Sequence, residues 1–238
     1  MVFLVNDMTI TPKVVGHRGW PTRYPDNTLS GFLAASEVAD GVELDVRRAS
    51  DGKLILAHDP ELGGLDVSSH PWRELGEIDL GDGHRPALLD EIVASVPGLS
   101  IQFEVKNLPF QPGFEPDHRV ALETAERTRP GDIVTSFNWP SLAAVRREFQ
   151  NVSTGVLVGR SGDIDQAVAE CLSGGHSALI PSIELPVMGL VGALEVGLMV
   201  FPWVVNDVER VDELVGLGVS GIITDDPALV RAVVGRDR

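Results

Sequence analysis

Between Gly41 and Asp59 the chain alternates apolar and acidic positions, turns, and runs on to a histidine. Val42, Leu44 and Val46 interleave with Glu43 and Asp45. Successive side chains of a strand point to opposite faces, so the two carboxylates share one face and the aliphatics the other. Asp51-Gly52 is a tight-turn signal. Beyond it, Leu54, Leu56 and His58 share one face of a second short strand that ends at His58-Asp59. The alternation returns at Ser100–Lys106, where Ile101, Phe103 and Val105 face one way and Gln102, Glu104 and Lys106 the other.

Strand and helix patterns take turns over the rest of the chain. Further strand candidates lie at Val14–Gly16, Asp132–Phe137, Ser153–Val158, Ser177–Pro181, Leu198–Val205 and Gly221–Thr224. Helical patterns begin at Leu29, where Asn27 or Thr28 can cap, and recur at Pro86–Val96, Asp117–Arg127, Pro140–Phe149 and Ile164–Leu172. Three more follow at Pro186–Val196, Val208–Leu217 and Pro227–Val234. Such alternation predicts parallel strands joined by crossover helices. Of the nine strand candidates, the second strand of the Asp51-Gly52 hairpin is surplus. The expected fold is therefore α/β, a (β/α)8 TIM barrel with an extra hairpin strand. An open doubly wound sheet would want a glycine-rich nucleotide fingerprint after its first strand, and Gly16-His17-Arg18-Gly19 is not one. No linker divides residues 1–238, which predicts a single barrel domain. Pro60–Arg85, rich in Gly, Asp and Ser, reads as a loop-rich insertion over the mouth, anchored by Trp72 and Leu75.

Composition narrows the picture. The 238 residues suit one barrel or two small domains. Hydrophobic residues at 43% and a mean hydropathy of +0.09 supply a large core, and 5% aromatic content makes it one of Val, Leu, Ile and Ala. A net charge of −16 leaves no basic footprint for nucleic acid. An anionic substrate would need a local cation or an Arg/Lys cluster to invert that field. The lone cysteine, Cys171, excludes an internal disulfide and suits a reducing compartment. Met1–Ile10 lacks the basic start of a targeting segment and is broken by Asn6 and Asp7. The apolar run Ala178–Val205 is interrupted by Pro181, Glu184, Pro186, Glu195 and Pro202, which favours strand–helix–strand over a membrane span. The expectation is a soluble, cytoplasmic protein without stable membrane insertion.

The inward face of a barrel is usually filled with branched aliphatics. Here Glu43, Asp45, Glu104 and Lys106 would point inward from two strands, and buried charges require partners. A hard, all-oxygen divalent site for Mg²⁺ or Ca²⁺ would satisfy them; a structural salt-bridge network centred on Lys106 is the alternative. His17 and His58 both end strand candidates, where two imidazoles suit acid–base work near neutral pH. Arg18 offers a fork of donors for phosphate oxygens. His70, His84, His118 and His176 fall in loops or polar helix starts and are expected to be solvated or structurally bonded.

These residues stand in the order of a known family. His17-Arg18-Gly19, Pro25-Asp26-Asn27-Thr28, Glu43-Leu44-Asp45 and His58-Asp59 are followed by Glu104-Val105-Lys106 and Ser136-Phe137. Trp203-Val204-Val205-Asn206 and Gly221-Ile222-Ile223-Thr224-Asp225, with Pro227, complete the set. With them the chain resembles the glycerophosphodiester phosphodiesterases over nearly its whole length. The resemblance implies a (β/α)8 barrel, one divalent cation on Glu43, Asp45 and Glu104, and His17 and His58 as the acid–base pair. It likewise puts Arg18 and Lys106 on the phosphate and Trp203 on the glycerol side of the pocket; an ordinary core aromatic is the other reading of Trp203. Two features depart from the family's pattern. Asp26 replaces the usual Glu, one methylene shorter at the edge of the site, and Pro60–Arg85 lacks the common Arg-Thr-Thr-like sequence.

The implied reaction cleaves a small-molecule glycerophosphodiester to glycerol 3-phosphate and an alcohol with metal assistance. One histidine would deprotonate the neighbouring glycerol hydroxyl for attack on phosphorus, and the other would protonate the departing alkoxide. Water would then open the cyclic phosphate with the roles reversed. The rivals are a phospholipase D- or sphingomyelinase D-like cleavage that stops at the cyclic phosphate, and a catalytically silent binding barrel. The complete set of His, Glu and Asp positions speaks against the silent barrel. A metal-dependent barrel enzyme acting on carbonyl substrates gives paired histidines no role.

Overall fold

The computed structural model of the chain describes residues 11–235. Met1–Ile10, which lacks the basic start of a targeting segment, lies outside them. The first strands are β1 (Lys13–Gly16), β2 (Gly41–Arg48) and β3 (Leu54–Leu56), followed by a small hairpin, β4 (Glu61–Leu62) and β5 (Leu65–Asp66). The chain continues through β6 (Ser100–Val105), β7 (Ile133–Ser136), β8 (Ser153–Val158), β9 (Ala178–Pro181), β10 (Met199–Val200) and β11 (Gly221–Thr224). Eight of these run parallel in the order β11-β1-β2-β6-β7-β8-β9-β10. The ends of that order meet through Ser220 N to Val200 O (2.9 Å) and Ile223 N to Pro202 O (3.0 Å), which makes a nearly closed barrel. β3 folds back antiparallel on β2, pairing Val46 with Leu56 and Arg48 with Leu54, and is the surplus strand that the Asp51-Gly52 turn predicts.

Helices fill the connections: α1 (Leu29–Ala35), α2 (Trp72–Leu75), α3 (Leu89–Ser95), α4 (Arg119–Ala125) and α5 (Trp139–Glu148) in the first part. The remainder are α6 (Ile164–Gly174), α7 (Val187–Glu195), α8 (Val208–Leu217) and α9 (Pro227–Val234). Thr28 caps α1 by accepting from Gly31 N, and Asp163, Asp207 and Asp226 do the same for α6, α8 and α9. The Ala178–Val205 run is β9, α7 and β10, and no helix among the described residues is long and apolar enough to cross a membrane.

Strand alternation divides the core in two. Val42, Leu44, Val46, Ile101, Phe103 and Val105 face outward and pack with the helices. Inside the barrel, Val15, Leu157, Ile180, Phe201 and Ile223 form a second apolar cluster, contributed by β1 and the later strands. The inward positions of β2 and β6 break that pattern with Glu43, Asp45, Arg47, Gln102 and Glu104, all buried. The barrel interior is thus polar on one side and apolar on the other. The insertion is more ordered than its composition suggests. Val67 and Leu75 close a third cluster with Ile55 of β3, with Trp72 packed at its edge.

Candidate active site

Beyond β1 the chain doubles back so tightly that only glycines fit. A Cβ on Gly16 would lie 2.2 Å from the Gly19 carbonyl oxygen, and one on Gly19 (φ +97°) 2.9 Å from the backbone of Gly31. Between them stand His17 and Arg18. Arg18 has φ 52°, a left-handed conformation that costs a non-glycine residue about 1–3 kcal/mol and needs surroundings that hold it. Its N–H donates to Glu43 Oε2 at 3.1 Å, and its carbonyl accepts from Asn27 N at 3.0 Å.

Register brings the carboxylates together. Asp45 of β2 lies opposite Glu104 of β6, and Glu43 follows on the same face. One oxygen from each of the three lies within 4.8 Å of the others. Lys106 Nζ is 2.9 Å from Asp45 Oδ1 and also contacts Glu104. Asp45 Oδ2 accepts from Asn27 Nδ2 at 2.8 Å and faces Arg18 Nε at 3.2 Å, while Asp45 N donates to Asn27 Oδ1 at 3.2 Å. Burial alone would raise the Asp45 carboxyl, but the Lys106 and Arg18 charges outweigh it and hold it below its ordinary value. Glu43 is different. Its Oε1 is buried with no hydrogen-bond partner among the described residues, and burial followed by the Asp45 charge pushes its carboxyl up to about 8. A salt-bridge network on Lys106 accounts for Asp45 and Glu104 but leaves Glu43 uncompensated. Three hard oxygens and one unsatisfied carboxylate fit a divalent cation.

The two histidines are held in unlike ways. His17 Nδ1 lies 2.7 Å from Asp225 Oδ1, and Asp225 Oδ2 accepts from Asn206 Nδ2 at 2.7 Å. Asn206 Oδ1 in turn accepts from Thr224 Oγ1 and Asp225 N. His17 Nε2 is left 4.0 Å from Glu43 Oε2. Burial lowers the His17 proton affinity, but Asp225 and Glu43 outweigh it and the net shift is upward. His58 Nδ1 pairs with its neighbour Asp59 Oδ1 at 2.9 Å, the His58 side chain half-buried and that of Asp59 exposed. Burial and the Lys106 charge lower its pKa. The two environments thus shift the imidazoles in opposite directions.

His17, Arg18, His58, Glu43, Glu104 and Lys106 line one side of a cleft at the mouth of the barrel. Phe137, Leu157, Ile180, Trp203 and Ile223 line the other. Trp203 donates its indole N–H to Ile180 O at 2.9 Å and meets Phe137 edge to face at 5.8 Å, so it presents an apolar wall. All eight site residues read from the sequence therefore gather at the mouth of the barrel or in its polar half. Asp26, despite its shorter side chain, still accepts from Arg18 Nη1 at 2.8 Å. Asp225, Asn206 and Asn27 were not singled out as site residues. Their signal is their place in the ordered motifs, Asp225 just after β11, Asn206 just before α8 and Asn27 just before α1. The remaining histidines are bonded structurally: His70 to Asp66 O, His84 to Ser30, His118 to Ser141 and His176 to Thr154.

A parallel barrel with clustered carboxylates, two histidines, an arginine and a lysine at one cleft has the equipment of a phosphate-ester enzyme. Residues 17–229 match the Glycerophosphoryl diester phosphodiesterase family, and the chain belongs to it. A glycerophosphodiester phosphodiesterase of Caldanaerobacter subterraneus is 29% identical over 239 residues, covering 90% of this chain and 94% of its own. The crystal structure of a glycerophosphodiester phosphodiesterase from Thermotoga maritima superposes with a TM-score of 0.73 at 30% identity, covering 91% of this chain and 96% of its own. An Oleispira antarctica phosphodiesterase, solved in complex with the product sn-glycerol-3-phosphate, has a TM-score of 0.83 at 19% identity and shares the fold; the match covers 95% of this chain and 98% of its own.

Proposed function

We propose that the protein hydrolyses small-molecule glycerophosphodiesters to glycerol 3-phosphate and an alcohol, with His17 and His58 exchanging acid and base roles between the two half-reactions. The observation that carries the reading is the two-sided cleft, which sets two unlike histidines and a carboxylate cluster against an apolar wall. Glu43, Asp45 and Glu104 would hold a divalent cation, Mg²⁺ or Ca²⁺, whose charge polarises the phosphoryl oxygens when bound. Arg18 and Lys106 add donors on the same side, which answers how an anion approaches a chain of net charge −16. Phe137 and Trp203 receive the glycerol carbons and exclude water from one side of the phosphate.

In the first half-reaction one imidazole takes the proton of the glycerol hydroxyl next to the phosphodiester, and that oxygen attacks phosphorus. The other imidazole protonates the departing alkoxide. Water then opens the cyclic ester with the roles reversed. The chain acts as one barrel domain, with residues 60–85 over the mouth on the leaving-group side. A single buried cysteine suits work in the cytoplasm.

The test is a turnover screen of the cation-loaded protein over glycerophosphocholine, -ethanolamine, -glycerol and -inositol, with products read by phosphorus NMR. Glycerol 3-phosphate is the expected product. A cyclic phosphate as the end product would assign the phospholipase D-like cleavage instead, and no turnover of any diester would refute the proposal. His17→Ala and His58→Ala should each abolish turnover without loss of fold.

A further inference from the structure

We infer that Arg47 is a positioning residue that fixes His58 against Lys106 by gripping the main chain of both with one planar guanidinium. The inference rests on the reading of His58 and Lys106 given above. Arg47 is the third inward position of β2 after Glu43 and Asp45, and only 6% of it is exposed. Its Nε and Nη2 donate to the His58 carbonyl at 3.1 and 2.8 Å. Its Nη1 donates to the Lys106 carbonyl at 3.4 Å, and Nη2 also reaches Gln111 Oε1 at 3.0 Å. One rigid group therefore ties the segment after β3 to the segment after β6.

The asymmetry of the two histidines explains why such a tie is needed. His17 is held through its ring, by an Asp225 that Asn206 holds in turn. Among the described residues the ring of His58 has Asp59 alone as a hydrogen-bond partner, and the Asp59 side chain is 74% exposed. A solvent-washed neighbour orients a ring weakly, so the place of His58 is set by its backbone, and that backbone is what Arg47 holds. Misplacing a reacting group by about 1 Å can cost about 100-fold in rate. The four contacts of the guanidinium go to neutral oxygens, which points to geometry and not charge neutralisation. Lysine could supply the charge but not the fork. Lys106 Nζ is independently held by Asp45 and Glu104, so loosening Arg47 moves His58 first.

The test compares Arg47→Lys and Gln111→Ala with the wild type in the cation-loaded protein. For Arg47→Lys, kcat on glycerophosphocholine should fall about 10- to 100-fold. The inhibition constant of sn-glycerol 3-phosphate should stay within about threefold, because product binding does not need a placed His58. At one fixed pH the His58 ring cross-peak in a proton–carbon NMR spectrum should shift or broaden while that of His176 stays put. Gln111→Ala leaves the arginine in place and should move the same cross-peak less, in the same direction. The inference is overturned if Arg47→Lys keeps kcat within about threefold, if product binding weakens as much as kcat falls, or if the His58 cross-peak is unmoved. Should Arg47→Lys fail to fold, an unmoved cross-peak in Gln111→Ala overturns it equally. A wild type that turns over no diester would defeat the functional reading alone, and the ring spectrum would still decide the role of Arg47.

Discussion

His17 and Asp225 meet at 2.7 Å across the seam where the first and last barrel strands pair. The carboxylate accepts a hydrogen bond from Nδ1–H, which leaves Nε2 toward the cleft, and it stabilises the imidazolium that forms when Nε2 accepts a proton. Asp225→Asn removes that charge and allows the opposite tautomer. We expect kcat to fall on the order of 10²- to 10⁴-fold, the range attributed to a placed general acid or base, with a melting temperature within a few degrees of wild type. Steady-state kinetics beside thermal denaturation measure both. A kcat within tenfold of wild type would show that His17 does not depend on its partner.

Asn27 grips Asp45 from both directions, donating from Nδ2 to Oδ2 and accepting from the Asp45 backbone at Oδ1. It does so at φ 59°, a conformation asparagine tolerates better than most residues. Asn27→Ala leaves the carboxylate free to swing. Cation affinity should drop about 10- to 100-fold, as for other groups that orient ligands. Folding stability should drop by about 1–3 kcal/mol. Titration calorimetry with Mg²⁺ and Ca²⁺ and urea denaturation report the two effects separately; an unchanged affinity would remove Asn27 from the site.

The unsatisfied Glu43 Oε1 makes the cation itself testable without any substrate. A ligand that binds only the folded state stabilises it by about 2.7 kcal/mol at a hundred times its Kd. The chelator-treated protein should therefore melt lower than the Mg²⁺- or Ca²⁺-loaded protein and show no turnover. Glu43→Gln should erase the difference without lowering the melting point of the chelated form, since with its carboxyl pushed up to about 8 Glu43 is already largely neutral beside Asp45 and Glu104 when no ion is bound. A cation-induced rise that survives in Glu43→Gln would place the ion elsewhere.

How much of this could be read from the sequence depended on periodicity. Glu43, Asp45 and Glu104 announced themselves by interrupting an alternation whose other half, Val42, Leu44 and Phe103, is fully buried. The surplus strand was visible because Asp51-Gly52 separates two strand-like runs. Other features had no period to carry them. β10 stops at Val200 where the pattern ran from Leu198 to Val205, because Pro202 has no N–H for the ladder. The order in residues 60–85 comes from Val67 and Leu75 packing on Ile55, apolar positions scattered among Gly, Ser and Asp. Asp225 and His17 are 208 positions apart, and only barrel closure makes them partners.

His176 supplies a pH dependence independent of the catalytic cleft. Its side chain is fully buried beyond α6, with Nδ1 2.8 Å from Thr154 Oγ1 and Nε2 without a hydrogen bond among the described residues, 3.8 Å from Glu170 Oε1. Burial holds its pKa below the usual 6.5, outweighing the pull of Glu170, with Arg146 acting in the same sense as burial. The folded protein therefore keeps the ring neutral while the unfolded chain takes up a proton as pH falls through about 6.5. The contribution to stability is complete above that pH. It is lost on acidification toward the folded pKa, with a slope of at most about 1.4 kcal/mol per pH unit from this one group. His176→Gln cannot titrate, so urea denaturation of the two proteins from neutral pH to about 5 should show the wild type losing stability faster than the variant below about 6.5. A constant gap between the two curves would assign the acid sensitivity to another group.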